Sequence, residues 1–146
     1  IERAEKAGIA FIAAAGNASS DNDKKETYPA NYKVSNVISV GALDGKGKKA
    51  SFSNYGKNTV HVFAPGVDIY STVHNDKYKK MSGTSMACPH VAGVAGLLLA
   101  HEPNLSFTEM KERLMNTSVL STKIDAYTMS GYVDANNALS NVTNGK

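Results

Sequence analysis

Gly83-Thr84-Ser85-Met86-Ala87-Cys88-Pro89-His90-Val91-Ala92-Gly93 decides how this chain is read. A glycine turn hands over to a serine, and an apolar segment then runs from Thr84 to about His101. Pro89 falls in its first turns, where a missing N–H is tolerated. Pro103 stops it. The pattern predicts one long helix, with Gly93 and Gly96 leaving room for another element to come close. A helix start presents unpaired N–H groups and a partial positive charge. An oxyanion forming beside Ser85 would be stabilised there. A lone Thr or Ser at this place is more commonly just an N-cap, so the decision falls to the surrounding sequence.

Working outward, Ile69 to Val73 and Lys77 to Met81 flank His74-Asn75-Asp76 and predict a hairpin. Further upstream, Ile9 to Ala14, Val37 to Gly41 and Val60 to Ala64 are short continuous apolar runs of strand length. Such runs suit parallel strands buried on both faces. Gly16-Asn17 ends the first run and Pro65-Gly66 the third. Ile1 to Gly8 reads as the end of a helix stopped by glycine. Ala18 to Lys25 is loop chemistry, and Lys46 to Ser53 is a polar turn followed by a short extended piece. Downstream, Ser106-Phe107-Thr108-Glu109 is a capping box opening an amphipathic helix to about Met115. Asp134 to Leu139 predicts a short last helix. Helices alternating with buried strands favour an α/β fold with a mainly parallel sheet. If the Ile9 run is the first strand, its free edge should be covered by something, because apolar edges pair with other chains.

The bulk properties narrow the function classes. The chain has 146 residues, 42% of them hydrophobic, and a net charge of +3. That allows one domain with a real core. The balance argues against a nucleic-acid binder and against an acidic disordered chain. Lys46, Lys48 and Lys49, and Lys77, Lys79 and Lys80, read as solvated loop charges. The single cysteine, Cys88, excludes an internal disulfide framework and a multi-cysteine metal site. No apolar run reaches the ~20 residues a membrane span needs. The abrupt start predicts the interior of a longer polypeptide.

The undecapeptide Gly83 to Gly93 resembles the active-site serine motif of the subtilisin-like serine proteases, G-T-S-M-A-x-P-H-V-A-G. A second segment, Ala13-Ala14-Ala15-Gly16-Asn17, is similar to that family's oxyanion-hole strand, whose Asn precedes the nucleophile by a span like the 68 residues seen here. Tyr28-Pro29, Val40-Gly41-Ala42, Ala50 to Asn54, Ala64 to Val67 and Gly131 to Ala135 fall in the family's order. The resemblance implies a three-layer α/β subtilisin-like fold with a mainly parallel sheet. Residues 1–146 would be the C-terminal portion of a single peptidase domain.

What the resemblance implies chemically is acyl transfer. Ser85 would attack a peptide carbonyl, and the Asn17 side-chain amide and Ser85 N–H would hold the oxyanion. Ala14, Ala15, Gly16, Thr27 and Thr84 would contact substrate. Tyr28-Pro29 would be a cis bond beside a mainly apolar P1 pocket, with medium apolar P1 residues preferred. Glu26 is the residue that would reverse that preference if it pointed inward. The family's Asp and His lie in D-[ST]-G and H-G-T-H segments upstream of the Asn, and neither occurs here. His90, five residues past Ser85 on a helix, faces away, His61 and His74 match no family role, and His101 lies at a helix end, where a positive charge is favourable. The implied partners are therefore a polypeptide substrate and a complementing N-terminal segment or chain carrying Asp and His, with no nucleic acid and no membrane. The chain alone should be inert.

Cys88 should be a buried, inert side chain. No cofactor is required, although a structural calcium is possible in the full-length enzyme. Asp21, Asn22 and Asp23 read better as a polar loop than as a calcium site. The family's weak cation site uses an Asp where this chain has His61. Secretion is expected from the family alone. Two rivals remain. One is a non-catalytic homologue that binds peptide. The other is an esterase with a G-x-S-x-G elbow, which Ala87 disfavours.

Overall fold

The computed structural model describes residues 1–143. Three parallel strands form the sheet in the order β1-β2-β3: β1 (Phe11–Ala14), β2 (Val37–Leu43) and β3 (Val62–Pro65). Phe11 pairs with Val37 and Ala14 with Val40; Val40 pairs with Val62 and Leu43 with Pro65. β2 is buried along its whole length, as a central parallel strand must be. β1 pairs on one side only and is mostly half-buried. It is shorter than the Ile9 to Ala14 run because Ile9 and Ala10 have no strand opposite them; Ile9 is 57% exposed.

Alternation along β2 splits the core in two. Ile38, Val40 and Ala42, with Val62 and Ala64 of β3, face the long helix α2 (Thr84–His101), which offers Ala87, Val91, Val94, Ala95 and Leu98. Behind it lie α3 (Phe107–Asn116), through Met110 and Leu114, and α4 (Ala135–Ser140), through Ala138. On the other face Leu43 and Phe63 pack with Ala15, Val60 and Ile124. The Phe63 ring lies over Gly41, where a Cβ would meet it at 2.5 Å, so only glycine fits under the ring. α1 (Glu2–Lys6) is short and ends before Gly8, which takes φ +73°.

The hairpin is β4 (Ile69–Val73) against β5 (Lys77–Met81), and Asn75 and Asp76 take positive φ at its tip. The capping box of α3 is present: Ser106 Oγ accepts Glu109 N–H at 3.3 Å and Glu109 Oε2 accepts Ser106 N–H at 2.9 Å. Arg113 clasps Glu102 bidentately, at 2.7 and 3.1 Å, and ties α3 to the end of α2. The Tyr28-Pro29 bond is cis. Among the described residues no other part of the chain comes within 4 Å of where a Cβ on Gly93 or Gly96 would stand, and Leu97 and Leu99 on the same helix are 51% and 41% exposed. No helix among the described residues is long and apolar enough to cross a membrane.

Candidate active site

Four of the sequence-predicted residues, Gly16, Asn17, Thr84 and Ser85, meet where the end of β1 reaches the start of α2. Ser85 lies in the first turn of the helix and is exposed. Gly83 is the N-cap and supplies no side-chain cap. The first helical N–H, that of Thr84, donates instead to Asn17 Oδ1 at 2.8 Å, across 67 residues of chain. Thr84 Oγ1 donates to the same oxygen at 2.9 Å and accepts Gly16 N–H at 3.2 Å. A backbone N–H can only donate, so Oδ1 is fixed toward Thr84 and the Asn17 amide nitrogen is fixed away from it. That nitrogen and the Ser85 N–H flank one small volume beside Gly83. A Cβ placed on Gly83 would lie 3.5 Å from Asn17 Nδ2 and 3.7 Å from Ser85 N. Two donor nitrogens thus lie close to one place at the positive end of a helix, an arrangement suited to an anionic group.

The remaining predicted contacts divide. Gly16 takes φ +112°, and a Cβ there would overlap Asn54 Nδ2 and crowd the Thr27 methyl at 3.2 Å. Ala14, Gly16 and Thr27 are half-buried and can offer surface to a ligand. Ala15 is fully buried, packed with Leu43, Val60 and Phe63, because alternation turns it to the far side of the strand. Thr84 is also fully buried, and its hydroxyl is spent on Asn17 and Gly16. Both were expected as substrate contacts; Ala15 offers no side-chain surface and Thr84 is a tether. Glu26 is exposed and its carboxylate accepts Tyr28 Oη at 2.5 Å, which raises the tyrosine's pKa. A cleft of about 350 Å³ opens beside Met86, Pro89 and His90, walled by Ile69 to Thr72 and Met81.

Neither His61 nor His90 is hydrogen-bonded to Ser85. His90 is exposed, with Nδ1 2.8 Å from Met86 O. His61 accepts Ser39 N–H on Nδ1 at 2.9 Å, and burial, followed by the Lys111 charge, pushes it down to about 4. Cys88 is half-buried rather than fully buried, with Sγ 3.4 Å from Ile12 O, and burial raises its thiol pKa.

Where the family's weak cation site would fall, the residues present do not fit a cation. Lys111 Nζ already donates to the carbonyls of Ser35 at 3.2 Å and Val37 at 2.7 Å, and the neighbouring His61 is held neutral with Nδ1 occupied. In the 21–23 loop, Asp23 accepts from Asn58 and Thr59, and Asp21 pairs with Lys24 at 3.3 Å. Among the described residues no three His, Cys, Asp or Glu side chains gather to hold a metal. Sequence reasoning treated Asn22 as a loop residue and gave Asn54 no role. Both are 1% exposed and hydrogen-bonded behind Gly16. Only the run Ala50 to Asn54, with its fixed place between the two motifs, pointed in their direction.

A parallel α/β sheet with a serine at the start of its central helix and a strand-end asparagine beside it defines a class of hydrolase scaffold. Within that class the chain belongs to the subtilase family, whose model matches residues 1–144. It is 44% identical over 119 residues to subtilisin DY of Bacillus licheniformis, covering 81% of this chain and 42% of that protein. It is also 44% identical over 133 residues to the thermophilic serine proteinase of Bacillus sp. strain AK1, covering 90% and 31%. Among solved structures, the prenylagaramide maturation protease PagA superposes with a TM-score of 0.82 at 28% identity, covering 98% of this chain and 54% of that one. The chain spans less than half the length of these two curated relatives.

Proposed function

We propose that the protein containing this chain is a secreted serine endopeptidase. Ser85 Oγ attacks a peptide carbonyl and its proton passes to a base. The C–N bond then breaks, and the amine leaves with that proton. Water hydrolyses the resulting acyl-enzyme. The oxyanion formed at each step is held by Asn17 Nδ2 and the Ser85 N–H. The observation that supports this reading is the Asn17–Thr84 tether, which commits the Asn17 oxygen and leaves its amide nitrogen near the Ser85 nitrogen beside Gly83. The base and its orienting carboxylate come from an upstream segment or chain. The free edge of β1 and the exposed Leu97 and Leu99 of α2 are the surfaces that segment would cover. The P1 pocket is apolar, because Thr27 turns its methyl toward Gly16 and Glu26 is engaged by Tyr28 on the surface.

A serine-directed phosphonylating probe tests this. The 146 residues alone are expected not to label. The full-length protein, with its upstream segment, is expected to label at Ser85, and Ser85→Ala should abolish both labelling and turnover. Failure of the full-length protein to label would overturn the peptidase reading in favour of a homologue that binds peptide without cutting it. Robust activity from the isolated chain would show that the base lies within it.

A further inference from the structure

Asn54 belongs to none of the catalytic motifs, yet its side chain makes more hydrogen bonds than either predicted catalytic residue. Oδ1 accepts the N–H groups of Ala18 at 2.8 Å and Ser20 at 3.1 Å. Nδ2 donates toward Ala15 O at 3.1 Å, Asn22 Oδ1 at 3.0 Å and Thr27 Oγ1 at 3.2 Å. Its own N–H donates to Gly16 O at 2.9 Å. The two N–H groups on Oδ1 can only donate, which fixes the amide's orientation. Asn22 closes the ring: its Nδ2 donates to Ala15 O at 2.9 Å and its Oδ1 accepts the Thr27 hydroxyl at 3.1 Å. With that hydroxyl committed on both sides, Thr27 has one rotamer, and its methyl lies against Gly16.

We propose that Asn54 is a positioning residue that couples the oxyanion-binding segment to the base of the P1 pocket. The inference rests on the peptidase reading above. One buried residue grips the chain on both sides of Asn17, its side-chain amide at Ala15, Ala18 and Ser20 and its backbone N–H at Gly16, so it sets the path from which the Asn17 side chain projects. The same amide holds Thr27. A P1 side chain pressing on the Thr27 methyl therefore presses, through Asn54, on the oxyanion arm. P1 fit is read in turnover and not only in binding. Fully satisfied buried polar networks of this kind rigidify what they touch.

The test uses the full-length protein, with active sites counted by the phosphonylating probe and peptide substrates varied only at P1. Asn54→Ala is expected to lower kcat per titrated site on the order of 10–100-fold, with KM little changed. It should also narrow the spread of kcat across P1 residues. Thr27→Val keeps the methyl but removes the hydroxyl link, and should give the same narrowing with a smaller fall. If Asn54→Ala is not recovered folded, Thr27→Val carries the test. The double variant should be no worse than Asn54→Ala alone, because the two act through one network. A lowered thermal midpoint with wild-type kcat per site and an unchanged P1 profile would reduce Asn54 to a structural residue and overturn the inference. Additive losses in the double variant would overturn the coupling. A wild-type protein with no titratable site would remove the peptidase reading and this inference with it; the other two results leave that reading standing.

Discussion

The two longest helices begin in opposite ways. α3 closes its own start, with Ser106 and Glu109 satisfying each other's N–H groups across three residues. α2 brings no cap: Gly83 has no side chain, and its first N–H is met by Asn17 from the end of β1. In α3 the local donors are satisfied by the sequence that makes the helix, so the end is stable and chemically silent. In α2 the cap is borrowed from a strand, and the next donor, on Ser85, has no acceptor among the described residues. A helix start that only has to be stable uses up its donors locally. On the proposed reading, a helix start that meets developing charge keeps a donor open and takes its cap from the element with which it must stay aligned.

The largest expected effect separates the two jobs of Asn17. Asn17→Asp keeps the oxygen that caps Thr84 but replaces the amide donor. Turnover of the full-length protein should fall on the order of 10²–10³, with the thermal midpoint little changed, whereas Asn17→Ala should lose both. Undiminished turnover in Asn17→Asp would make the α2 start a cap like that of α3 and erase the contrast. His61 touches neither helix start and calibrates both. Its folded-state value of about 4 lies below the roughly 6.5 of an unfolded histidine. Between those values the unfolded chain binds a proton that the folded chain refuses, because burial disfavours the charged ring and the Lys111 charge adds to it. Stability should therefore fall as pH drops through that window, by about 3 kcal/mol, and level off below it. Urea titrations of the full-length protein and of His61→Asn from pH 7 to pH 4 should show this extra slope only in the histidine form; equal slopes would refute it. The smallest effect tests the other helix. Ser106→Ala should cost about 0.5–2 kcal/mol of unfolding free energy and leave kcat per titrated site unchanged. A fall in kcat would mean that the α3 start is not silent.

What was legible in the sequence was what is written locally. The glycine–serine helix start, the hairpin around Asn75-Asp76 and the capping box of α3 each rest on residues within a turn or two of one another. The meeting of the Asn17 segment with the start of α2 was legible only because two motifs matched one family at the right separation. Strand ends were displaced by one or two residues, since pairing partners set them: β2 runs on to Leu43 because β3 lies beside it. The Asn54–Asn22–Thr27 ring and the Lys111 ammonium on Ser35 and Val37 were illegible. Their residues are separated by long stretches of chain and belong to polar segments that look alike whether buried or solvated. Ala15 and Thr84 were misread for a related reason, because a motif gives a residue's address but not the direction of its side chain.

The Asn17–Thr84 tether has a consequence for where the chemistry resides. The residues that flank the volume beside Gly83 are held there by a bond spanning 67 residues, backed by a ring of bonds on Asn54 spanning 27 to 39. None of these survives in a peptide cut around the serine motif, however faithfully it copies Gly83 to Gly93. Nor can the site loosen in a small local opening and reform on its own, since its parts belong to segments that meet only in the assembled sheet and helix. The donors share one fate with the domain: they are aligned when the whole is folded and dispersed when it is not.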